Sequence, residues 1–147
     1  MSESPTIPPY VNSTMKFILR SPIHGMISKN ILLITFSGRK SGKTFTTPVS
    51  YSQTGDMVSI FTHASWWKNL SSGAPVALRI RGREYQGVAE PVAVDKQAVA
   101  TGLSAHLRKV QSDARYYSVT FDEHKNPRAE EVVKAAQSVV MIRIRLC

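Results

Sequence analysis

Cysteine is nearly absent from this chain. Of 147 residues only Cys147, at the last position, carries a thiol. No intrachain disulfide can form, so an oxidised scaffold is excluded and the cytoplasm is the expected compartment. Long apolar runs are missing too: hydrophobic residues make up 42% of the chain, enough for one core, but no run approaches the roughly 18 residues of a membrane span. Met1 to Tyr10 lacks the charged and apolar regions of a signal peptide. The four histidines, His24, His63, His106 and His124, lie far apart, and neither H-x-x-x-H nor C-x-x-C occurs, which argues against a metal enzyme. No serine sits in G-x-S-x-G, so acyl transfer lacks a nucleophile. Acids are scarce, and Glu130 and Glu131 read as a solvated helix face rather than a hydrolytic pair. Against 10 acids stand 19 Lys and Arg, a formal charge of +9, which favours anionic partners. Before Pro48 the cations Lys16, Arg20, Lys29, Arg39, Lys40 and Lys43 face one acid, Glu3.

That positive half contains the stretch Leu33 to Tyr51, L-I-T-F-S-G-R-K-S-G-K-T-F-T-T-P-V-S-Y. It reads as a strand, a tight loop carrying Arg39, Lys40 and Lys43, and a second Thr-rich strand. Such a hairpin tip offers cations, hydroxyls and backbone N–H groups to a phosphate or carboxylate. A nucleotide P-loop is excluded: three residues, not four, separate Gly38 from Gly42, and T-F-T-T-P-V favours a strand where a helix is required. A plain polar turn with solvated lysines is the simpler alternative.

The length suits one domain, here 13–147, preceded by a flexible arm over 1–12 that holds three prolines. From Asn12 or Ser13, Met15, Ile18, Leu19, Ile23 and Met26 recur at helical spacing, interrupted near Pro22. This amphipathic helix covers a sheet end or touches a membrane peripherally. Strands are expected over Ile31–Ser37, Thr44–Tyr51 and Met57–Thr62, with a Gly-Asp turn within Gln53–Asp56. A short helix capped by Ser65 carries both tryptophans, and strands follow over Val76–Arg81 and Arg83–Val92. Period two puts Arg79, Arg81 and Arg83 on one face. Asp95 caps a helix to about Gln111 with Val99, Leu103, His106, Leu107 and Val110 as its apolar stripe. Tyr116–Phe121 is extended or turned, Pro127 opens a helix to about Gln137, and Ser138–Leu146 is a last strand with Arg143 and Arg145 on one face. Six strands arriving as hairpins point to an α+β fold: a mostly antiparallel sheet closing partly into a barrel.

A cation-rimmed pocket beside aromatic side chains suits a flat heteroaromatic ring with an anionic tail, that is, a flavin-like cofactor. Two other classes fit the composition. One is a basic nucleic-acid-binding barrel using Arg79, Arg81, Arg83, Arg143 and Arg145; the other is a non-catalytic heme or lipid carrier.

The run L-L-I-T-F-S-G-R-K-S-G-K-T-F-T-T-P-V-S-Y, then G-D, W-W-K-N-L, G-A-P-V and R-I-R-G-R-E-Y, resembles the deazaflavin-dependent nitroreductase family over roughly Met15 to Pro91. That family belongs to the flavin and deazaflavin oxidoreductase superfamily of split β-barrels, related in fold to pyridoxamine 5'-phosphate oxidase. The resemblance implies reduced coenzyme F420 as hydride donor, with FMN as the alternative, and an acceptor such as a nitro compound, quinone or conjugated enone. It implies that Arg39, Lys40, Ser41, Gly42 and Lys43 contact the anionic tail and Thr46, Thr47, Pro48 and Val49 lie along the ring. Ser59, Ile60, Phe61, Thr62 and His63 would line the ring from the third strand, and Ser65, Trp66, Trp67, Lys68 and Asn69 would close the phosphate side through side chains and turn N–H groups. Tyr116 or Tyr117 would donate a hydrogen bond to the acceptor, and a homodimer is compatible with the pattern. Phe45 stands where many relatives carry Arg, which removes one tail cation. Trp66 and Trp67 read alternatively as core anchors, His63 as a strand-end histidine, and the arginines of 79–83 as the wet face of an edge strand.

Overall fold

A computed structural model of the chain describes residues 30–70 and 73–147. The expected N-terminal arm and amphipathic helix lie outside them. Six strands, β1 (Ile31–Ser37), β2 (Thr44–Thr54), β3 (Met57–Thr62), β4 (Ala74–Ile80), β5 (Arg83–Val92) and β6 (Val140–Leu146), close into a barrel in the order β1-β2-β3-β6-β5-β4. Every pairing is antiparallel. The expected antiparallel sheet therefore closes fully. Alternation makes this possible, because each strand sends every second side chain inward: Leu32, Ile34 and Phe36 from β1, Val58 and Ile60 from β3, Val76, Leu78 and Ile80 from β4, and Ile142 and Ile144 from β6. Burying each such aliphatic side chain contributes about 1.5–3 kcal/mol.

A second apolar layer covers the outside of β3 and β6. Helix α1 (Lys96–Lys109) brings Val99, Leu103 and Leu107, helix α2 (Ala129–Ala136) brings Val132 and Ala136, and both meet Phe61 and Met141, which point out of the barrel. Asp95 caps α1 as its position predicts, accepting from the Ala98 N–H at 3.1 Å. Between the helices, Gln111–Tyr117 forms a 3-10 helix ended by Ser118 in the left-handed conformation.

Several local expectations are corrected. Strand β2 runs on to Thr54, because Tyr51 to Thr54 pair with Ile60 to Met57. Ser65 starts its helical turn rather than capping it: Ala64 holds the cap position, with its N–H donating to Thr62 Oγ1 at 3.0 Å. Pro127 pairs with Phe121 in an isolated bridge, so α2 begins two residues later at Ala129. Of the two alternatives for Tyr116–Phe121, the turned one holds at its start, where Tyr116 and Tyr117 end a helical turn, and Phe121 makes only an isolated bridge. The arginine comb fails at its middle member, since Arg81 and Gly82, both with positive φ, form the two-residue turn joining Ile80 to Arg83. Arg79 is held by Glu84 at 3.0 Å, while Arg143 and Arg145 do share the outer face of β6. Arg79, Arg81 and Arg83 therefore do not share one face, Arg83 lying opposite Ile80 and Arg79 opposite Glu84. Among the described residues no helix is long and apolar enough to cross a membrane, and no group of His, Cys, Asp and Glu has metal-binding geometry.

Candidate functional site

The β1–β2 pairing ends at Ser37 and Thr44, so residues 38–43 leave the barrel as one loop. The Gly38 N–H donates to Lys43 O at 2.7 Å and the Gly42 N–H to Gly38 O at 2.9 Å. Gly42 takes φ of 71°, where a side chain would be strained. Thirty positions further on, Asn69 in the turn Ser65–Asn69 locks this loop in place: its Oδ1 accepts from the Arg39 N–H at 3.1 Å and its Nδ2 donates to Trp66 O at 3.0 Å. Trp66 in turn stacks on Phe36, centroids 5.1 Å apart. Asn69 and Trp66 thus tie loop and turn together on the barrel end.

Between them lies a cavity of about 450 Å³ lined by Gly38, Arg39, Lys40, Ser41, Phe45, Ser65, Trp66, Lys68 and Asn69. Three of these side chains are cationic and none is acidic. An uncompensated cation cluster flanked by hydroxyls is complementary to a polyanion.

Strand β2 carries this end of the barrel to a second feature. Its outward face presents Thr46, whose hydroxyl lies 2.8 Å from that of Thr35, then Pro48, then Ser50. Continuing the β2–β3 register past Tyr51–Ile60 brings Pro48 level with His63, which follows β3. His63 stacks on Tyr117 (centroids 5.6 Å) and meets the edge of Tyr116 (5.5 Å), while the two tyrosines cross at 5.0 Å. These rings open onto a cavity of about 390 Å³ shared with Ser118, Glu131, Lys134, Ala135 and Ser138. From Phe45 to Ser50 the strand covers about 17 Å, the length of a tricyclic ring plus part of a chain.

Tyr117 is buried and its hydroxyl reaches Phe61 O at 3.5 Å. Burial first, then the charges of Asp113 and Tyr116, push its phenol far above the ordinary tyrosine value, so it stays a hydrogen-bond donor. Tyr116 is 70% exposed.

The sequence reading missed the group that ties this region together. Asp113, in the 3-10 helix, accepts at one oxygen, Oδ2, from Ser50 Oγ on β2 and from His106 Nε2 on α1, the latter at 2.8 Å. Burial raises its pKa, but the bonds from His106 and Ser50 and the His106 charge outweigh it, so the carboxyl lies below the ordinary aspartate value. His106 is 1% exposed and its Nδ1 has no partner among the described residues. The only sequence hint was a histidine within an apolar helix stripe, which reads as core.

The structure brings Arg39, Lys40, Ser41, Ser65, Trp66, Lys68 and Asn69 together around the first cavity and His63, Tyr116 and Tyr117 around the second. It leaves others out. Lys43 is exposed and outside the lining, and Gly42 contributes its turn geometry. Val49, Ile60 and Thr62 point into the barrel, Thr47 shares their inward parity, and Phe61 packs under α1. Ser59 lines a separate cleft with Met141 and Arg143. Trp67 packs against the barrel core and does not reach the cavity.

Residues 19–132 match the model of the F420H(2)-dependent quinone reductase family. No curated protein matches the sequence. Among solved structures, an F420-H2 dependent reductase aligns at TM-score 0.50 and 16% identity over 80% of this chain and 95% of its own. A chain described as a domain-swapped dimer aligns at 0.53 and 15% over 93% and 98%. A putative 5-nitroimidazole antibiotic resistance protein from Bacteroides thetaiotaomicron aligns at 0.57 and 9% over 82% and 75%. At these identities the structures bear on the fold alone, and they share the barrel. The family match spans the cation loop, the Trp turn and both tyrosines, and on it the chain belongs to the F420H(2)-dependent quinone reductase family and is an F420-dependent oxidoreductase.

Proposed function

We propose that the protein reduces a planar, electron-poor acceptor, a quinone first and nitro compounds or conjugated enones in the same class, with F420H2 as reductant. The observation that carries this reading is the cavity of Arg39, Lys40 and Lys68, with no acid in its lining among the described residues, at one end of the outer face of β2, with the His63, Tyr116 and Tyr117 rings at the other. The donor set fits the cofactor's tail: two guanidinium or ammonium groups of the loop, Lys68, the Ser41 and Ser65 hydroxyls and the Asn69 amide can hold phosphate and carboxylate oxygens. Phe45 adds an apolar wall where a further cation would lengthen the anionic track.

The chemistry F420H2 supplies when bound is hydride donation. The chain's own part is to bind, orient and supply hydrogen bonds. Thr46 and Pro48 form the floor along which a ring can lie, and the cations fix its register through the tail. Tyr116, exposed at the rim, is placed to donate to an acceptor oxygen, and Tyr117, kept protonated by burial, holds His63 in a stacked position. Such donors stabilise oxyanion character that develops as a quinone or nitro group accepts hydride. We also propose a homodimer, in line with the dimeric structural neighbour, and a cytoplasmic location.

The test is direct. Purified protein titrated with F420 should quench tryptophan fluorescence, since Trp66 lines the cavity, and with F420H2 should reduce menadione. Absence of F420 binding at micromolar concentration would end this reading, and a yellow protein carrying FMN would replace it with the flavin version of the same site.

A further inference from the structure

The Tyr-bearing segment is a 3-10 helix of seven residues with no capping side chain, packed on β3 through Ala114 and Tyr117, whose hydroxyl reaches Phe61 O. Its polar tie to β2 and α1 is Asp113. One carboxylate oxygen receives the Ser50 hydroxyl, from the outward face of β2 two residues beyond Pro48, and His106 Nε2, from the last turn of α1. Three elements therefore meet on a single atom. Three and four residues further along are Tyr116 and Tyr117, whose rings pack on His63. In a 3-10 turn residues three apart are eclipsed, so Asp113 and Tyr116 lie on one edge of the turn, and the place of the carboxylate on Ser50 bears on where the tyrosine rings sit.

We propose that Asp113 is a positioning residue for the reduction step, setting the height of Tyr116 and Tyr117 over strand β2 through its shared bond to Ser50 and His106. This rests on the reading of the preceding subsection that the acceptor lies against these rings. The geometry separates position from charge. Both donors use the same oxygen, so an asparagine amide oxygen can accept both bonds without the charge, and alanine can accept neither. Asp113 does not touch the acceptor, and its effect runs through the tyrosines.

The experiment compares full-length wild type, D113N, D113A and S50A. With F420H2 and menadione, D113A should lower kcat about 10- to 100-fold, the size of effect expected when a reacting group is held out of place, while the Kd for F420 changes less than about threefold because the tail cavity is untouched. D113N should stay within about threefold of wild type in kcat, and S50A, which opens no core cavity, should fall between. A cofactor-independent reading comes from NMR: the His63 ring protons, displaced by the tyrosine ring currents, should move toward unstacked values in D113A and keep their places in D113N. Equal loss in D113N and D113A would overturn the proposal, showing that charge and not position matters. So would D113A with wild-type kcat, or with His63 signals unmoved. If D113A does not fold, S50A decides alone, wild-type values of both kcat and the His63 shift refuting the proposal. If wild type itself fails to bind F420, the functional reading falls while the NMR comparison still decides whether Asp113 positions the rings.

Discussion

Replacing Lys68 by alanine and, separately, Lys43 by alanine separates the folded site from the linear motif. In sequence the two lysines look alike, and Lys43 is the one inside the glycine loop. In the structure Lys68 lines the anion cavity, while Lys43 is exposed and outside it. A cation about 4 Å from an anionic oxygen gains about 1–4 kcal/mol between bulk-water and near-surface dielectric. Side-chain ordering and solvent screening reduce exposed pairs to about 0.2–1 kcal/mol. Taking about 1 kcal/mol for Lys68, its loss should raise the Kd for F420 about fivefold. Lys43 acts only through a field damped over about 8 Å at physiological salt, so its loss should change Kd less than about twofold. The assay is F420 titration by tryptophan fluorescence at low and high salt, the Lys68 effect shrinking as salt rises. Thermal midpoints of both variants should stay within about 2 °C of wild type, since neither side chain is buried. An equal or larger effect from K43A would refute the placement of the tail between loop and turn, and no effect from either would refute the anion assignment.

Gly87, on β5 inside the barrel, should not tolerate a side chain: a Cβ there would lie 2.6 Å from Ile144 Cγ2 and 3.1 Å from the Arg145 carbonyl oxygen. G87A should therefore cost about 1–3 kcal/mol in urea unfolding, with F420 affinity unchanged because Gly87 lines neither cavity. Acid stability should report Asp113. Its folded-state pKa lies below the ordinary value of 3.8, so unfolding takes up a proton at Asp113. Its contribution is full above that value and is lost as pH falls through the folded pKa. Between pH 5 and pH 3 the thermal midpoint of wild type should fall more steeply than that of D113N, and parallel curves would show that the carboxylate is not stabilised in the fold.

Strand positions were legible because alternation is local: Ile31–Ser37, Met57–Thr62 and Arg83–Val92 need only their own residues to declare an inner and an outer face. The cap at Asp95 was legible for the same reason. That R-K-S-G and W-W-K-N-L carry cations was plain in sequence, but not the shape of the cavity they line. Nothing in sequence says that Asn69 accepts from Arg39, thirty positions away, or that Lys68 faces the cavity and Lys43 does not. Period two also misled where a turn intervened, since the φ of 51° at Arg81 breaks the alternation that Arg79 begins. The Ser50, His106 and Asp113 junction was hidden because it joins three elements. Each residue alone has an ordinary reading: a strand hydroxyl, a core histidine, a surface aspartate.

The charge of +9 takes on meaning only through where carboxylates fall in the fold. On β4 and β5 the hairpin turn brings Glu84 against Arg79, so positive charge there is answered within the protein. At the aromatic end Asp113 is spent on Ser50 and His106, and Glu131 on the Thr120 N–H and hydroxyl. Around Arg39, Lys40 and Lys68 no carboxylate lines the cavity among the described residues, and Asn69, the residue that joins loop to turn, uses an amide where an acid would have neutralised the site. A neutral clamp among cations keeps their mutual repulsion in place, and a bound polyanion relieves it. The same sequence choice that ties the loop to the turn therefore also leaves the cavity's positive charge in place. At the opposite end the clamp is an acid, whose one oxygen accepts from both Ser50 and His106 and whose charge is answered by those bonds.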